Sequence, residues 1–238
     1  MEHAAHVWWH ERADAVERKG WDRLAVFMRR LVIDAQAVVL YAAVCVLVFV
    51  VDVFMRGTAE RLASPPWRYF SVKSPRSWLC LVTHVVAHKD WAHLKTNMVN
   101  LLLVGPAAER EFGTTRIAAV GATVAIASAL AHMAFGHSDA GQLGGSGVVS
   151  ALILLNSLGA ASSGRVPLTF LLTALFWLSD EVQSAIIRDG VSHAAHLAGA
   201  LVGTAAGYAI HARRARREGS RRRVSDPFGR TRSAKKAQ

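Results

Sequence analysis

The chain has 238 residues, of which 52% are hydrophobic and 19% are charged, with a formal net charge of +11. The apolar fraction is high and the charged fraction is low for a soluble globular domain. Most of the positive excess lies in residues 211–238, which hold eleven Arg and Lys against two acidic residues. Because no nucleic-acid-binding motif accompanies this charge, the composition argues against nucleic acid as a partner and favours an anionic lipid surface.

Uncharged apolar segments of about twenty residues are candidate membrane-spanning helices, and this sequence contains several of them. In chain order, the predicted spans cover about residues 35–55, 91–104, 117–135, 146–161, 166–179 or slightly beyond, and 191–210. The pattern therefore predicts an all-α membrane protein that crosses the bilayer six times. An even number of spans places both termini on the same side, and the basic tail indicates that this side is the cytoplasm.

The distribution of charged and apolar residues along the chain predicts three regions. Residues 1–35 carry balanced charges with tryptophans and other apolar side chains, which is typical of an amphipathic segment on the cytoplasmic membrane surface. Residues 36–211 form the membrane core, and residues 212–238 form a basic cytoplasmic tail that is expected to be disordered. We expect a multi-pass protein of the plasma (inner) membrane that contacts membrane lipids, and the sequence leaves its oligomeric state open.

The connection between the first two predicted spans is long and changes in character. Residues 56–77 are polar in patches and rich in Trp, Pro and Arg, whereas residues 78–87 are apolar again before Lys89 and Asp90. We predict that residues 78–89 form partly submerged, irregular or short helical structure. After the second span, the charged residues 109–111 indicate a return to water.

Polar side chains inside the predicted spans are candidates for function, because burying them in a bilayer costs free energy. His93 and Asn97 lie one helical turn apart in the second span and share a face. Ser146 opens the fourth span directly after two glycines, where the N–H groups of a helix N-terminus lack partners. His196 lies in the sixth span. These four side chains form the candidate site.

Two glycines indicate how the candidate serine and histidine meet. Gly199 and Gly203 are four residues apart, a spacing that lets two helices approach closely. We therefore predict that the sixth span lies against the fourth and carries His196 to Ser146. An imidazole is the usual base for a serine near neutral pH.

A serine nucleophile also needs hydrogen-bond donors for the oxyanion that forms during the reaction. The N-terminus of the fourth span, together with His93 and Asn97, can supply them. No acidic residue is predicted to orient the histidine, because the loop that holds Asp180, Glu181 and Asp189 is expected at the water boundary. The residues therefore predict a Ser–His dyad without a third member.

At these positions the sequence resembles the rhomboid family of intramembrane serine proteases. The matching segments, in the order of the family, are His88-Lys-Asp-Trp-Ala-His93-Leu-Lys-Thr-Asn97, Gly105, Glu109-Arg110 with Gly113, Gly144-Gly145-Ser146-Gly147, and Ala195-His196-Leu-Ala-Gly199 with Gly203. The resemblance covers about residues 36–211. As a joint pattern it is specific, although each segment alone is a weak signal.

The resemblance implies a six-transmembrane-helix, rhomboid-like bundle with a partly submerged first loop, in which Ser146 is the nucleophile and His196 is the general base. It implies that His93, Asn97 and the Ser146 backbone N–H surround the oxyanion, and that His88 has a structural role in the re-entrant loop. It also implies that the substrates are transmembrane segments of other membrane proteins, and that no metal or cofactor takes part. The predicted activity is that of an intramembrane serine endopeptidase acting through an acyl-enzyme.

Three features depart from the usual pattern of the family. The pair Trp67-Arg68 stands further upstream than is usual, which predicts an altered first loop. Ser150 stands one turn after the candidate nucleophile, where a bulky residue is frequent, and His193 adds a second imidazole beside the base. None of these departures removes a reacting group.

Two other functions remain open at the level of the sequence. A non-proteolytic rhomboid-like protein would share the fold and would bind or escort transmembrane clients, but the retained Ser–His pair favours the protease. A metal or proton transporter would use histidines of the core, although no acidic or cysteine ligand joins them inside the membrane. Those histidines are His84, His88, His93, His132 and His137.

Overall fold

The structure, a computed structural model, describes residue 26 and residues 32–136, 141–158, 166–187 and 192–225. The chain divides into two units, Met1–Asp34 and Ala35–Gln238. The amphipathic segment predicted for residues 1–35 lies almost wholly outside the described residues, as do residues 226–238 of the tail. The helices below belong to the second unit.

Eight α-helices make up most of the described part of the second unit. They are α1 (Gln36–Phe54), α2 (Thr58–Leu62), α3 (Pro75–Thr83), α4 (Trp91–Phe112), α5 (Thr114–Phe135), α6 (Ser146–Ser157), α7 (Leu168–Ile187) and α8 (His193–Ser225). Two short 3-10 helices, Trp67–Tyr69 and His84–Val86, lie in the connections. The described residues contain no β-strand, which confirms the all-α class.

Within the described residues, helices α1 and α5 are long and apolar enough to cross a membrane, and α6 is a shorter apolar helix. The count of six spans therefore stays a prediction. Helix α1 exposes large apolar side chains, among them Leu40, Leu47 and Phe54. A helix that is apolar all round and yet is not buried in protein is typical of a membrane span.

Three helices run past the ends that the apolar pattern predicts. Helix α4 continues through Pro106 as far as Phe112, and helix α7 continues past residue 179 as far as Ile187. Helix α8 continues as far as Ser225, which corrects the prediction that the basic segment from residue 212 is disordered. The extension of α7 has the largest consequence, because it turns the start of a predicted loop into helix.

The prediction that residues 109–111 mark a return to water is wrong for Glu109, which is buried. Its carboxylate accepts hydrogen bonds from the N–H groups of Ala37 (2.9 Å) and Val38 (3.0 Å) and from the hydroxyl of Thr114 (2.7 Å). Burial alone would raise the pKa of Glu109, but these hydrogen bonds outweigh burial and lower the pKa below its ordinary value. Glu109 therefore caps the N-terminus of α1, whose N–H groups have no acceptor within the helix.

Helix α6 is largely buried, and it packs most extensively on α8. A Cβ at Gly203 would lie 2.7 Å from the carbonyl carbon of Ala151, and a Cβ at Gly199 would lie 2.9 Å from that of Gly147. Side chains at these positions would collide with the backbone of α6, so the crossing requires glycine. This confirms the prediction that Gly199 and Gly203 bring the two helices together.

The short helical structure predicted for residues 78–89 is confirmed, since α3 is followed directly by the 3-10 helix His84–Val86. The depth of this segment in a membrane stays a prediction. Further upstream, the N–H of Ser64 donates to the carbonyl of Gln142 (2.8 Å), and the N–H of Gln142 donates to that of Ser64 (2.9 Å). The first loop is therefore tied to the segment that leads into α6.

Candidate active site

Ser146 is the first residue of α6, and the two glycines before it form a turn that needs their lack of a side chain. Gly144 has a φ of +116°, in the left-handed region that favours glycine. A Cβ at Gly144 would lie 2.6 Å from Nε2 of His93, and a Cβ at Gly145 would lie 3.2 Å from the carbonyl oxygen of Val85. The double glycine lets the backbone pass between these groups, so that Ser146 can open the helix.

The segment between α3 and α4 holds this turn from one side. The N–H of Gly144 donates to the carbonyl of His84 at 2.9 Å. The hydroxyl of Tyr41, on α1, donates to the carbonyl of Val85 at 2.7 Å. The segment that holds the backbone just before Ser146 is therefore itself held by α1.

His88 lies in the same segment and acts on the next residue of the turn. The N–H of Gly145 donates to Nε2 of His88 across 3.5 Å, a long hydrogen bond. His88 is buried, and burial, reinforced by the nearby His93, lowers the pKa of His88 to about 4. The imidazole is therefore neutral near pH 7, and Nε2 can serve as an acceptor while Nδ1 carries the proton.

The structure brings the predicted serine and histidine into contact. Oγ of Ser146 lies 2.6 Å from Nε2 of His196, although the two residues are 50 positions apart in the chain. His196 occupies the first turn of α8, directly before the Gly199 crossing, and Ser146 begins the helix that this crossing touches. The close approach of α6 and α8 thus sets the distance between hydroxyl and imidazole.

The prediction that no acidic residue orients the histidine is wrong. Oε1 of Glu181 lies 2.7 Å from Nδ1 of His196, and Oε2 of Glu181 lies 2.9 Å from Nδ1 of His193. The Glu181 side chain is only 11% exposed, whereas the neighbouring Asp180 is exposed. Asp189 lies outside the described residues. The extra imidazole of His193 therefore has a place in the site, as a second partner of the carboxylate.

The position of Glu181 follows from the length of α7. The apolar pattern ends near residue 179, which suggests that the helix ends there and that the next residues face water. The sequence, however, has no Gly or Pro between Pro167 and Gly190, so it contains no strong signal that stops the helix. Helix α7 continues through Glu181 and carries the carboxylate to the first turn of α8. That absence of helix breakers is the signal that could have located Glu181.

The two predicted oxyanion residues occupy different positions. The ring of His93 lies against Gly144, two residues before the nucleophile, and its buried Nδ1 has no hydrogen-bond partner among the described residues. Asn97 is buried, and its Nδ2 donates to the carbonyl of His93 at 2.9 Å, one turn earlier in α4. One amide proton of Asn97 is therefore used within the helix, which leaves the second for another acceptor.

One group of side chains in the described residues has the geometry to hold a metal ion. It consists of Glu181, His193 and His196, whose ligand atoms lie within 4.8 Å of one another. The histidines of the transporter hypothesis do not form such a group among the described residues, and His137 lies outside them. A metal at the observed group would compete with the hydrogen bonds between the carboxylate and the imidazoles.

Comparison with known proteins gives one match. A family model described as Rhomboid domain matches residues 75–213, which is more than half of the chain and includes Ser146, Glu181 and His196. No curated protein matches the chain.

Proposed function

Because this chain belongs to the rhomboid family, we propose that it is an intramembrane serine endopeptidase that cleaves transmembrane segments of other membrane proteins. The observation that carries the proposal is the 2.6 Å contact between Oγ of Ser146 and Nε2 of His196. A hydroxyl within hydrogen-bond reach of an imidazole is the arrangement of an activated nucleophile. The position of Ser146 at a helix N-terminus adds N–H donors beside it.

The proposed reaction begins with the hydroxyl of Ser146 donating its hydrogen bond to Nε2 of His196. As Oγ attacks the scissile carbonyl carbon, Nε2 takes the proton and the carbonyl oxygen becomes an oxyanion. The C–N bond then breaks, and His196 returns the proton to the leaving amine while the substrate stays joined to Ser146 as an ester. Water activated by His196 hydrolyses this ester and restores the hydroxyl.

The oxyanion would form beside the first turn of α6. The N–H of Ser146 is among the first four of the helix, which have no acceptor within it, and the helix dipole favours negative charge at this end. His93 and Asn97 are the proposed side-chain donors. Since removing one such donor typically costs about 2.7–4 kcal/mol of barrier, His93→Ala or Asn97→Ala should slow turnover rather than abolish it.

The length of α6 supports a site below the membrane surface. The helix has 12 residues, which corresponds to roughly 18 Å, whereas the hydrocarbon core of a bilayer is about 30 Å thick. If the C-terminal end of α6 lies at one face of the bilayer, Ser146 lies roughly 10 Å below the other face. Each of the six longest helices would contain one of the six spans in the plasma (inner) membrane, with both termini in the cytoplasm and lipids around the outer faces.

A rhomboid-like protein that binds or escorts transmembrane clients without cutting them is the alternative. The observation that favours it is the departure of Ser150 and of the first loop from the usual pattern of the family. Both functions fit the same fold and the same class of transmembrane partner. They differ in whether Ser146 reacts.

Quantitative proteomics of cells that carry either the wild type or Ser146→Ala tests the proposal. We expect soluble fragments of membrane proteins to be released by the wild type and not by Ser146→Ala or His196→Ala. Ser150→Ala is the matched control, because Ser150 is a buried serine one turn further along the same helix, and it should release the same fragments as the wild type. Undiminished release by Ser146→Ala would refute the protease, and clients that bind equally to both proteins without being cut would favour the alternative.

A further inference from the structure

We propose that Glu181 is a third member of the site, a positioning residue that fixes the tautomer of His196, and that His193 in turn holds Glu181. The inference rests on the proposed function, because it gives Glu181 a part in the same reaction. It departs from the Ser–His dyad that the sequence predicts.

Both oxygens of the Glu181 carboxylate face imidazoles from the first turn of α8. Oε1 lies 2.7 Å from Nδ1 of His196, and Oε2 lies 2.9 Å from Nδ1 of His193. The two rings are nearly perpendicular, at 87°, with centroids 6.2 Å apart, so they hold the carboxylate from different directions. Since the Glu181 side chain is only 11% exposed, water competes little for these charge-assisted hydrogen bonds.

The carboxylate determines which nitrogen of His196 carries the proton. An ionised carboxylate only accepts hydrogen bonds, so the contact at Oε1 requires the proton of the neutral ring to be on Nδ1. That tautomer leaves a lone pair on Nε2, which lies 2.6 Å from Oγ of Ser146. If the proton were on Nε2 instead, Ser146 would face a donor and the ring could not act as its base.

The same carboxylate stabilises the positive charge that forms on His196 during the reaction. When the proton of Ser146 moves to Nε2, His196 becomes a cation whose Nδ1–H is bonded to an anion 2.7 Å away. The proton on Nδ1 stays on the ring, and Glu181 is not protonated. Because opposite charges attract strongly where water is scarce, Glu181 stabilises the transition state more than the ground state.

His193 fixes the orientation of Glu181, because its Nδ1–H binds one carboxylate oxygen while the Nδ1–H of His196 binds the other. Glu181→Gln leaves one acceptor oxygen and one amide donor facing these two imidazoles, so one ring has to change its tautomer or lose its bond. Glu181→Asp keeps both oxygens and the charge, but shortens the side chain by one methylene. The two substitutions therefore separate the effect of charge and acceptor number from the effect of shape.

The first measurement reads the tautomer directly and does not depend on activity. Nitrogen-15 NMR of the full chain with labelled histidines, in the Ser146→Ala background, distinguishes a ring protonated on Nδ1 from one protonated on Nε2. The sample contains a chelator, because Glu181, His193 and His196 also offer metal ligands. We expect His196 to be protonated on Nδ1, and we expect Glu181→Ala in the same background to mix the two tautomers.

The second measurement is kinetic and uses a cleaved transmembrane substrate in liposomes. We expect Glu181→Ala and Glu181→Gln to lower kcat by about a hundredfold or more, with KM within about twofold, because the group acts on the transition state rather than on substrate binding. Glu181→Asp should recover part of this loss. Asp180→Asn, which removes the neighbouring exposed carboxylate, is the matched control and should leave kcat unchanged.

The outcomes separate this inference from the proposed function. A single unchanged tautomer in Glu181→Ala, with kcat within about threefold of the wild type, would overturn the role of Glu181, while loss of cleavage in Ser146→Ala would still support the protease. If Ser146→Ala cleaves normally, the proposed function fails, and the NMR measurement alone then decides whether Glu181 sets the tautomer of His196.

Discussion

Gly199 sets the separation between α8 and α6, so we expect Gly199→Ala to move His196 away from Ser146. A Cβ at position 199 would lie 2.9 Å from the carbonyl carbon of Gly147 and closer still to its carbonyl oxygen. These are backbone atoms, which cannot rotate away as the end of a side chain can. Since carbon atoms make optimal contact at about 3.5–4.0 Å, the two helices have to separate by roughly 1 Å.

A shift of this size has separate effects on stability and on activity. Inserting one methyl group into a well-packed crossing typically lowers the free energy of unfolding by about 1–3 kcal/mol. The distance from Oγ of Ser146 to Nε2 of His196 would increase from 2.6 Å to about 3.5 Å, which is outside the range of a hydrogen bond. Because a misplacement of about 1 Å can reduce a rate by about a hundredfold, activity should fall far more than stability.

The matched control is Gly207→Ala on the same face of α8. The three atoms nearest to a Cβ at Gly207 are Cδ1 of Leu158 (3.1 Å), Cβ of Leu158 (3.3 Å) and Cδ1 of Leu155 (3.4 Å), and all of them belong to side chains rather than to the backbone. Thermal unfolding in detergent and kcat/KM for a transmembrane substrate are compared for both variants. We expect Gly207→Ala to behave like the wild type and Gly199→Ala to lose most of its activity while still folding. Full activity and an unchanged Tm in Gly199→Ala would show that Gly199 does not set the distance between Ser146 and His196.

Three further predictions concern other parts of the core. Glu109→Gln should lower the free energy of unfolding by about 1.5–3 kcal/mol. Because hydrogen bonds lower the pKa of Glu109 in the folded protein, this difference should be present above the ordinary carboxyl pKa and disappear as the pH falls through the lowered pKa. A difference in thermal unfolding that does not change with pH would contradict this prediction. Gly144→Ala should abolish cleavage, because alanine would have to adopt a positive φ and its Cβ would collide with the imidazole of His93. The control Gly121→Ala should remain active, because a Cβ at Gly121 meets nothing within 4 Å. Equal cleavage by both variants would show that the turn tolerates a side chain. Added Zn²⁺ should inhibit cleavage and a chelator should restore it, because a metal on Nδ1 of His196 leaves the ring proton on Nε2. Inhibition that is equally strong in His193→Ala, which lacks one of the three ligands, would place the metal elsewhere.

The sequence predicts those parts of the site in which the residue type itself determines the local backbone geometry, as glycine does. Ser146 follows two glycines, and the spacing of Gly199 and Gly203 indicates a close helix crossing beside His196. The all-α class follows in the same way, because long uncharged apolar segments satisfy their backbone hydrogen bonds only as helices in a membrane.

The parts that the sequence does not predict depend on contacts between distant segments. Glu109 and Val38 are 71 residues apart, and a carboxylate followed by Arg110 and Glu111 looks like a solvated charge until its partners are known. Glu181 is expected in water because the apolar pattern stops before it. The end of an apolar pattern, however, marks where a helix leaves an apolar environment, whereas the end of the helix depends on breakers that are absent here.

Covalent labelling by a fluorophosphonate tests whether Ser146 is a nucleophile activated by His196. The purified full chain is treated in liposomes, and the adduct is located by peptide mass spectrometry. We expect a single adduct on Ser146 in the wild type and in Ser150→Ala, and we expect labelling to be lost in His196→Ala. Labelling that is absent in the wild type, that lies on another residue, or that is equally fast without the imidazole would show that Ser146 is not a nucleophile activated by His196.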